Sequence, residues 1–253
     1  MDPRQPQPDG MSGLDAAFAR VIGASWRAEL VASFALRPVV LVAGDQLTGK
    51  SVAAAALAER LGGVAASSGS VVRQMAVERG LSVEEMSRGL AREPDIDVRI
   101  DYRAAGLIAA GGAAVFESRL AGHLGQRLRT LGRQRLATVY LSCAPRERAL
   151  RYLYRELRPE VRARLEPVFI VDEQADFATC LSSLEGLGDR DVAEALPRLR
   201  QAARRDDEDR ARLLALYGVD YCDRTVFDLV VDTTRRRPEQ TVERVLEALP
   251  ALG

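Results

Sequence analysis

The segment that most constrains this chain is residues 44–51, with the sequence GDQLTGKS. Its Gly-x4-Gly-Lys-Ser spacing is the P-loop pattern, in which backbone N–H groups wrap phosphates, the lysine reaches the terminal phosphates and the serine hydroxyl binds Mg²⁺. Lys50 is the only lysine of the chain, and every other lysine or arginine position is arginine. A compact ammonium enters a nest that the planar fork of arginine does not fit. The predicted nucleotide-binding residues are Gly44, Thr48, Gly49, Lys50, Ser51 and Val52.

The residues on either side supply the context that a P-loop needs. Residues 39–43 form a short apolar run without alternation, which is typical of a parallel strand buried on both faces. Residues 52–61 are rich in alanine and end at Gly62-Gly63, which predicts a helix with a glycine stop. Strand, glycine-rich loop and helix in this order indicate a P-loop rather than a chance match.

Further apolar runs alternate with helical patterns along the rest of the chain. The predicted strands are 64–66, 113–116, 136–142 and 227–231, and the predicted helices are 71–79, 82–92, 95–110 and 238–249. Strands separated by helices indicate an α/β fold with a five-stranded parallel sheet and right-handed crossovers. We divide the chain into a disordered tail at 1–11, an amphipathic N-terminal helix at 12–36, which packs on the core or on a partner, and a main domain at 37–249.

A long helical block separates the last two predicted strands. It holds two arginine-dense stretches, 146–164 and 198–212, on either side of an acidic and apolar run. A connection of this length outside the sheet predicts a lid at 146–216. Arg151 and Arg155 are four residues apart, and the spacing of Arg205, Asp209 and Arg212 places them on one helix face. They would bring cations over phosphates when the lid closes, or else form an exposed ladder of ion pairs.

Composition narrows the partners and the compartment. The formal net charge is zero, so no global field attracts nucleic acid or an anionic membrane. The three cysteines lie far apart without a Cys-x2-Cys spacing, which argues against a disulfide framework and a zinc site and favours a reducing cytoplasm. The apolar N-terminal stretch contains charges and is predicted to be neither a signal peptide nor a membrane span. We expect a cytoplasmic monomer, or a homodimer through the N-terminal helix.

Two further regions suit phosphoryl transfer, in which positioning and charge neutralisation provide most of the catalysis. Glu117 ends a predicted strand, where it would orient Mg²⁺ together with Ser51. Arg119 would grip an acceptor phosphate with two hydrogen bonds. The alternative for Glu117 and Arg119 is a surface ion pair. Gly69 and Arg73 open a helix, whose N-terminus favours an anion, and so form a second candidate phosphate site.

Two carboxylates and one histidine remain ambiguous. Asp97 and Asp101 lie on the predicted helix after this region, either at the site or on the solvated face of the helix. His123 is the only histidine. We interpret it as structural, because an acceptor phosphate is already ionised at neutral pH and needs no general base.

Several strings of residues resemble one family. They are Ser68-Gly69-x3-Arg73, the stretch 93–97 continuing to Asp101, Glu117-Ser118-Arg119-Leu120, and Arg205-x3-Asp209-x2-Arg212 followed by Tyr217-Gly218-Val219-Asp220. Over residues 39–249 the chain resembles the nucleoside monophosphate kinases, and among them the archaeal type of cytidylate kinase. The resemblance implies a P-loop kinase fold with a monophosphate-binding region at 68–111, and transfer of the γ-phosphate of ATP to CMP or dCMP with Mg²⁺.

The same resemblance implies roles for individual residues. Arg73 and Arg119 would bind the acceptor phosphate, helped by Ser68 and Gly69, with Asp97 and Asp101 nearby. Arg205, Asp209 and Arg212 would contact the acceptor nucleotide or the phosphates in transfer. The residues expected to act in catalysis are Lys50, Arg119, Arg205 and Arg212.

The chain also departs from the family pattern. Asp45, Gln46 and Leu47 stand where small residues and glycine are usual, and Ser70, Ser118 and His123 replace an acid, a glycine and a tryptophan. The lid carries an insertion at about 158–192, and the N-terminal helix is additional. Two alternatives therefore stay open: a P-loop kinase of another small metabolite, with Asp97 or Asp101 as the base for a hydroxyl acceptor, and a catalytically weak nucleotide-binding module.

Overall fold

The computed structural model describes residues 13–90, 93–172 and 175–252. The tail predicted at 1–11 lies outside the described residues, as do Ser12, which begins the predicted N-terminal helix, and residues 91–92, which end the helix predicted at 82–92. Residues 173–174 of the predicted insertion lie outside them as well.

The centre of the fold is a parallel sheet of five strands. The strands are β1 Val39–Gly44, β2 Ala65–Ser67, β3 Val115–Glu117, β4 Leu136–Ser142 and β5 Leu229–Asp232. Their order is β2-β3-β1-β4-β5, and every neighbouring pair is parallel. All six residues of the central strand β1 are buried, as its unbroken apolar run predicts. The α/β fold with a five-stranded parallel sheet is confirmed.

Helices cover both faces of this sheet. They are α1 Gly13–Val21, α2 Trp26–Ala32, α3 Lys50–Arg60, α4 Ser68–Glu78, α5 Val83–Leu90, α6 Pro94–Ala109, α7 Ala121–Thr130, α8 Pro145–Glu156, α9 Pro159–Leu165, α10 Phe177–Gly186, α11 Arg190–Tyr217 and α12 Pro238–Leu252. Alternate residues of β1 face opposite layers. Val40 and Val42 pack with α3 and α12, whereas Leu41 packs with α6 and α7.

The N-terminal region forms two helices, so the prediction of one helix at 12–36 is wrong. The chain turns between α1 and α2 at Gly23, whose φ of +116° suits a glycine and interrupts the helical hydrogen-bond ladder. The turn brings Trp26 back onto Phe18, with ring centroids 5.3 Å apart. Both side chains are buried in the hydrophobic core on the α6 and α7 side of the sheet, which we call the main core. The apolar face of this region therefore packs within the chain itself.

A second hydrophobic core lies outside the sheet. It consists of buried side chains from α8, α9, α10 and the first part of α11, together with Phe169, and we call it the lid core. The later part of α11 packs on the main core through Leu213 and Tyr217. One long helix thus belongs to both hydrophobic cores.

Two other observations bear on the predictions from composition. Cys143, Cys180 and Cys222 are all free thiols. Within the described ranges, no helix combines the length and apolar character needed to cross a bilayer.

Candidate active site

The P-loop connects β1 to α3 at the carboxyl end of the sheet. Gly44 and Gly49 have φ angles of +146° and +89°, and a β-carbon on Gly44 would collide with the carbonyl oxygen of Leu141. Lys50 is the first residue of α3. The loop therefore presents bare backbone at a helix N-terminus, an arrangement that favours phosphate.

Lys50 lies inside the loop. Its Nζ donates a hydrogen bond to the carbonyl oxygen of Asp45. Burial and the neighbouring charge of Arg119 lower the pKa of Lys50 to about 8. A cation in this position gains from the arrival of an anion, which would replace the hydration that burial removes.

Ser51 and Glu117 meet at the mouth of the loop. The hydroxyl of Ser51 donates to Oε2 of Glu117 at 2.8 Å. Glu117 is the last residue of β3 and stands in register with Val42 of β1, so the parallel sheet brings it to the start of α3. A hydroxyl and one carboxylate are hard oxygen ligands of the kind that Mg²⁺ takes when most of its other ligands are water and phosphate. These residues fit a magnesium ion.

The unusual residues at the apex of the loop, Asp45, Gln46 and Leu47, are held by other parts of the chain. The carboxylate of Asp45 accepts a hydrogen bond from the hydroxyl of Tyr221 at 3.0 Å. The backbone N–H of Gln46 donates to Asp206 at 3.0 Å. Leu47 has a φ of +66° and packs against the lid core. The carboxylate of Asp45 therefore has a hydrogen-bond donor within the chain.

Arg119 is the centre of a network that joins β3 to α11. Its side chain bonds to Asp206 at 2.8 Å and pairs with Asp209 at 2.6 Å, and it donates to the hydroxyl of Tyr221 at 2.8 Å. Only 14% of the side chain is exposed. The interpretation of Glu117 and Arg119 as a surface ion pair is therefore wrong, because Glu117 bonds to Ser51 and Arg119 turns to α11.

The network continues from α11 to α6. Arg212 pairs with Asp209 at 2.8 Å and with Asp97 at 2.7 Å. Asp97 and Asp101 are buried, so the alternative that they form the solvated face of α6 is wrong. The carboxylate of Asp101 accepts a hydrogen bond from the hydroxyl of Tyr217 at 2.7 Å, and burial raises its pKa to about 7.

The two candidate arginines of α8 take different positions. Arg151 donates to the carbonyl of Thr48 at 3.3 Å and to Thr233 at 3.1 Å, so it lies directly against the P-loop. Arg155 is 64% exposed and pairs with the adjacent Glu156. Arg155 therefore does not reach the loop in this structure. Val52 follows Ser51 in α3 and is 56% exposed.

The remaining acceptor candidates lie on exposed parts of α4 and α11. Arg73 is exposed, with Nη1 3.6 Å from the point where a β-carbon on Gly69 would stand. The hydroxyl of Ser68 is buried without a hydrogen-bond partner in the part of the chain that the structure describes. Arg205 is exposed, and neither it nor Arg73 makes an ion pair within the described ranges. The network around Arg119 therefore does not include these two cations.

His123 has a structural contact. Its Nε2 lies 3.0 Å from the carbonyl oxygen of Asp220, which joins α7 to the segment after α11. This agrees with the interpretation of His123 as structural.

Two central residues, Arg148 and Asp206, did not emerge from the sequence. Arg148 of α8 donates to the carbonyl of Gln46 at 2.8 Å and pairs with Asp206. Asp206 also receives the N–H of Gln46 and one arm of Arg119. The available signal was the spacing: Arg148 and Arg151 are three apart on α8, and Asp206 and Asp209 are three apart on α11, so each pair lies on one helix face.

Comparison with known proteins agrees with this architecture. Residues 40–166 match the family described as "AAA domain". The chain is 31% identical over 213 residues to a cytidylate kinase of Aeropyrum pernix, covering 84% of this chain and 99% of the relative. It is 30% identical over 214 residues to a cytidylate kinase of Methanothrix thermoacetophila, with coverages of 85% and 99%.

A solved structure, that of an uncharacterized protein from Eubacterium ventriosum, has the same fold with a TM-score of 0.53 at 11% identity, over 85% of this chain and 99% of that one. The P-loop between β1 and α3, the parallel sheet and the extent of the similarity lead to one conclusion. The chain belongs to the nucleoside monophosphate kinase family and is similar within it to the archaeal cytidylate kinases.

Proposed function

We propose that this kinase transfers the γ-phosphate of ATP to CMP or dCMP with the help of Mg²⁺. The observation that carries the proposal is that Lys50 and Arg119 are both linked to one residue of the loop, Asp45, at the carboxyl ends of β1 and β3. Lys50 donates to the carbonyl oxygen of Asp45, and Arg119 donates to the hydroxyl of Tyr221, which in turn donates to the carboxylate of Asp45. Two cations facing one crevice suit a reaction that joins two phosphate groups.

The donor side of the crevice consists of residues 44–51 and Glu117. The backbone at Gly44, Thr48 and Gly49 would hold the donor phosphates, and Lys50 would reach the terminal ones. Ser51 and Glu117 would hold Mg²⁺, which supplies charge neutralisation to the phosphates when it is bound. Arg151, bonded to the carbonyl of Thr48, would add positive charge at the lid side of the loop.

The acceptor side consists of Arg119 and the elements that face it. Arg119 already holds two carboxylates of α11, so its fork is oriented for oxygen anions. Arg73 lies in the first turns of α4, which follows β2 directly, and β2 pairs with β3 in register with Glu117. Arg73 and Arg119 therefore follow neighbouring strand ends, and we assign both to the acceptor phosphate. Ser68 and Gly69 begin α4 and belong to the same region.

We also assign charged residues of α11 and α6 to the binding of the acceptor. Asp209 and Arg212 would contact the acceptor nucleotide, and Arg205 would approach the phosphates on closure of the lid. Asp97 and Asp101 would support this region through Arg212 and Tyr217, with which they pair. Both carboxylates already have partners, which favours an acceptor phosphate over a hydroxyl that would need one of them as a base.

The test is a coupled assay of ADP release with ATP and a panel of acceptors: CMP, dCMP, UMP, AMP and phosphate-free alcohols. We expect the highest kcat/KM with CMP or dCMP, and a loss of about 10²–10³-fold in the Lys50→Ala variant. Circular dichroism of the variant controls for folding. Activity on an alcohol without acceleration by any monophosphate would contradict the proposal, and binding of ATP without turnover would indicate a nucleotide-binding module.

The partners and the cellular location of the enzyme are proposed as well. We infer that the partners are small nucleotides rather than nucleic acid or a membrane, and that the enzyme works in the cytoplasm. Gel filtration coupled to light scattering distinguishes a monomer from a homodimer.

A further inference from the structure

We propose that the inserted segment of the lid positions the apex of the P-loop, and that Arg148 and Phe177 are positioning residues for the donor nucleotide. The inference rests on the proposed function of the loop as the ATP site and gives the insertion a role in it. It follows from three contacts that join the lid core to residues 45–47.

The first contact is the packing of Leu47. This residue has a φ of +66°, in the left-handed region that disfavours side chains with a β-carbon. Such a conformation persists only where the surroundings hold it. Leu47 packs against the lid core, whose members include Phe169, Cys180 and Leu184 from the insertion. The lid core, which the insertion helps to build, thus supplies the apolar surface against which this strained residue rests.

The second contact is the guanidinium of Arg148. This side chain is buried at 7% exposure, and it donates to the carbonyl of Gln46 at 2.8 Å. It also pairs with Asp206, which accepts the N–H of Gln46. Both backbone polar groups of Gln46 are therefore held from the lid side. A lysine, with a single nitrogen, would not span the two partners with the same fixed geometry.

The third contact places the insertion over this guanidinium. Cζ of Arg148 lies 4.8 Å from the ring centroid of Phe177, the first residue of α10. The ring covers one face of the guanidinium and excludes water from its hydrogen bonds. The path from the insertion to the loop is therefore Phe177 to Arg148 to Gln46.

This path has a consequence for nucleotide binding. The amides of a P-loop bind phosphate only if they converge, and the loop apex here depends on side chains from elsewhere for its shape. Lys50 depends on the same shape, because its Nζ bonds to the carbonyl of Asp45 beside Gln46. Loss of the ring of Phe177 should therefore weaken donor binding more than acceptor binding, because Arg148 bonds to Gln46 directly and reaches Arg119 only through Asp206.

The experiment compares Phe177→Leu with a matched control, Tyr154→Leu. Tyr154 also packs on the lid core and covers an arginine, since Cζ of Arg162 lies 5.5 Å from its ring centroid. Calorimetry with MgADP and steady-state kinetics with ATP and CMP are run on both variants. We expect Phe177→Leu to raise the Kd for MgADP and the KM for ATP about fivefold, with a smaller rise in the KM for CMP. Tyr154→Leu should change neither.

A second pair of variants probes the loop itself. Leu47→Gly relieves the backbone strain but removes the packing, and we expect MgADP affinity to fall. The effects of Leu47→Gly and Phe177→Leu should combine to less than their product, because both side chains pack against the lid core and both variants loosen its hold on the loop apex. Arg148→Lys should weaken MgADP by about tenfold while it keeps the charge.

Equal MgADP affinity in Phe177→Leu and Tyr154→Leu would overturn the proposal, even if both variants melt at a lower temperature. Unchanged MgADP affinity in Leu47→Gly would also overturn it, because this variant removes the packing of the loop on the lid core without a substitution in the lid core itself. MgADP binding reports on the loop whether or not CMP is the acceptor. Failure of the CMP assay and failure of this inference are therefore distinguishable.

Discussion

The proposed donor and acceptor sides of the site differ in whether all of their candidate residues are held by the chain, because the paired network of Arg119, Asp209 and Arg212 on the acceptor side is accompanied by two arginines without ion pairs in the described ranges. On the donor side, Gln46, Lys50 and Ser51 all make hydrogen bonds to other residues of the chain. On the acceptor side, Arg73 and Arg205 are exposed and make no ion pair with any residue that the structure describes. The comparison suggests that the donor loop is held in shape before nucleotide arrives, whereas part of the acceptor site forms around its ligand.

Arg119 stands between the two sides. It donates to the hydroxyl of Tyr221, which donates to Asp45 of the loop, and its own fork holds Asp206 and Asp209 of α11. A phosphate that binds Arg119 would compete with these carboxylates for the same donors.

The largest expected effect is that of Arg119→Met, which removes the shared cation. We expect kcat/KM for CMP to fall by about 10²–10³-fold, because a charged hydrogen-bond donor to the acceptor phosphate is lost. The KM for ATP should rise much less. Steady-state kinetics with each substrate varied in turn provides the measurement. An equal rise in the KM for ATP and in the KM for CMP would mean that Arg119 serves the donor side as well, and would break the comparison.

A smaller effect is expected for Arg73→Ala. The KM for CMP should rise about tenfold, the usual cost of one hydrogen bond to a charged group. The melting temperature should stay the same, because the exposed side chain makes no ion pair among the described residues. Arg60→Ala, at the far end of α3, is the control for loss of an exposed arginine. A change in melting temperature without a change in KM would assign Arg73 a structural role.

The smallest effect concerns stability at the buried base of the acceptor side. Burial raises the pKa of Asp101 from 3.8 to about 7, so between these values the folded state binds a proton that the unfolded state has lost. The contribution of Asp101 to the free energy of unfolding therefore decreases as pH rises from about 4 to about 7. Asp101→Asn should remove this dependence and be more stable than the wild type at pH 8, by on the order of 1 kcal/mol. Denaturant unfolding of both proteins from pH 5 to pH 8 measures the difference.

Local patterns were enough to predict the strand–loop–helix unit around Lys50. An unbroken apolar run identifies β1, and a P-loop has a fixed spacing, so both signals lie within a dozen residues. The parallel sheet followed from the alternation of strands and helices. The prediction of a single N-terminal helix failed at Gly23, because a helix pattern continues across a turn that returns the chain onto itself.

The contacts that shape the site are not local, which explains what the sequence did not reveal. Arg148 and Asp206 are 58 residues apart, and Gln46 and Asp206 are 160 apart. Only the folded lid brings them together. Likewise, Asp97 and Asp101 find their partners Arg212 and Tyr217 115 and 116 residues further along the chain, so on a helix alone both would resemble solvated acids. The residues proposed to bind phosphate were accessible from motifs, whereas the residues that support them required the tertiary structure.

The most direct test of this account is calorimetric titration of MgADP and CMP, each alone, into the wild type, Phe177→Leu and Arg73→Ala. We expect Phe177→Leu to weaken MgADP more than CMP, whereas Arg73→Ala should weaken CMP and leave MgADP unchanged. Equal losses of both ligands in both variants would contradict the separation into a preformed donor side and a partly open acceptor side.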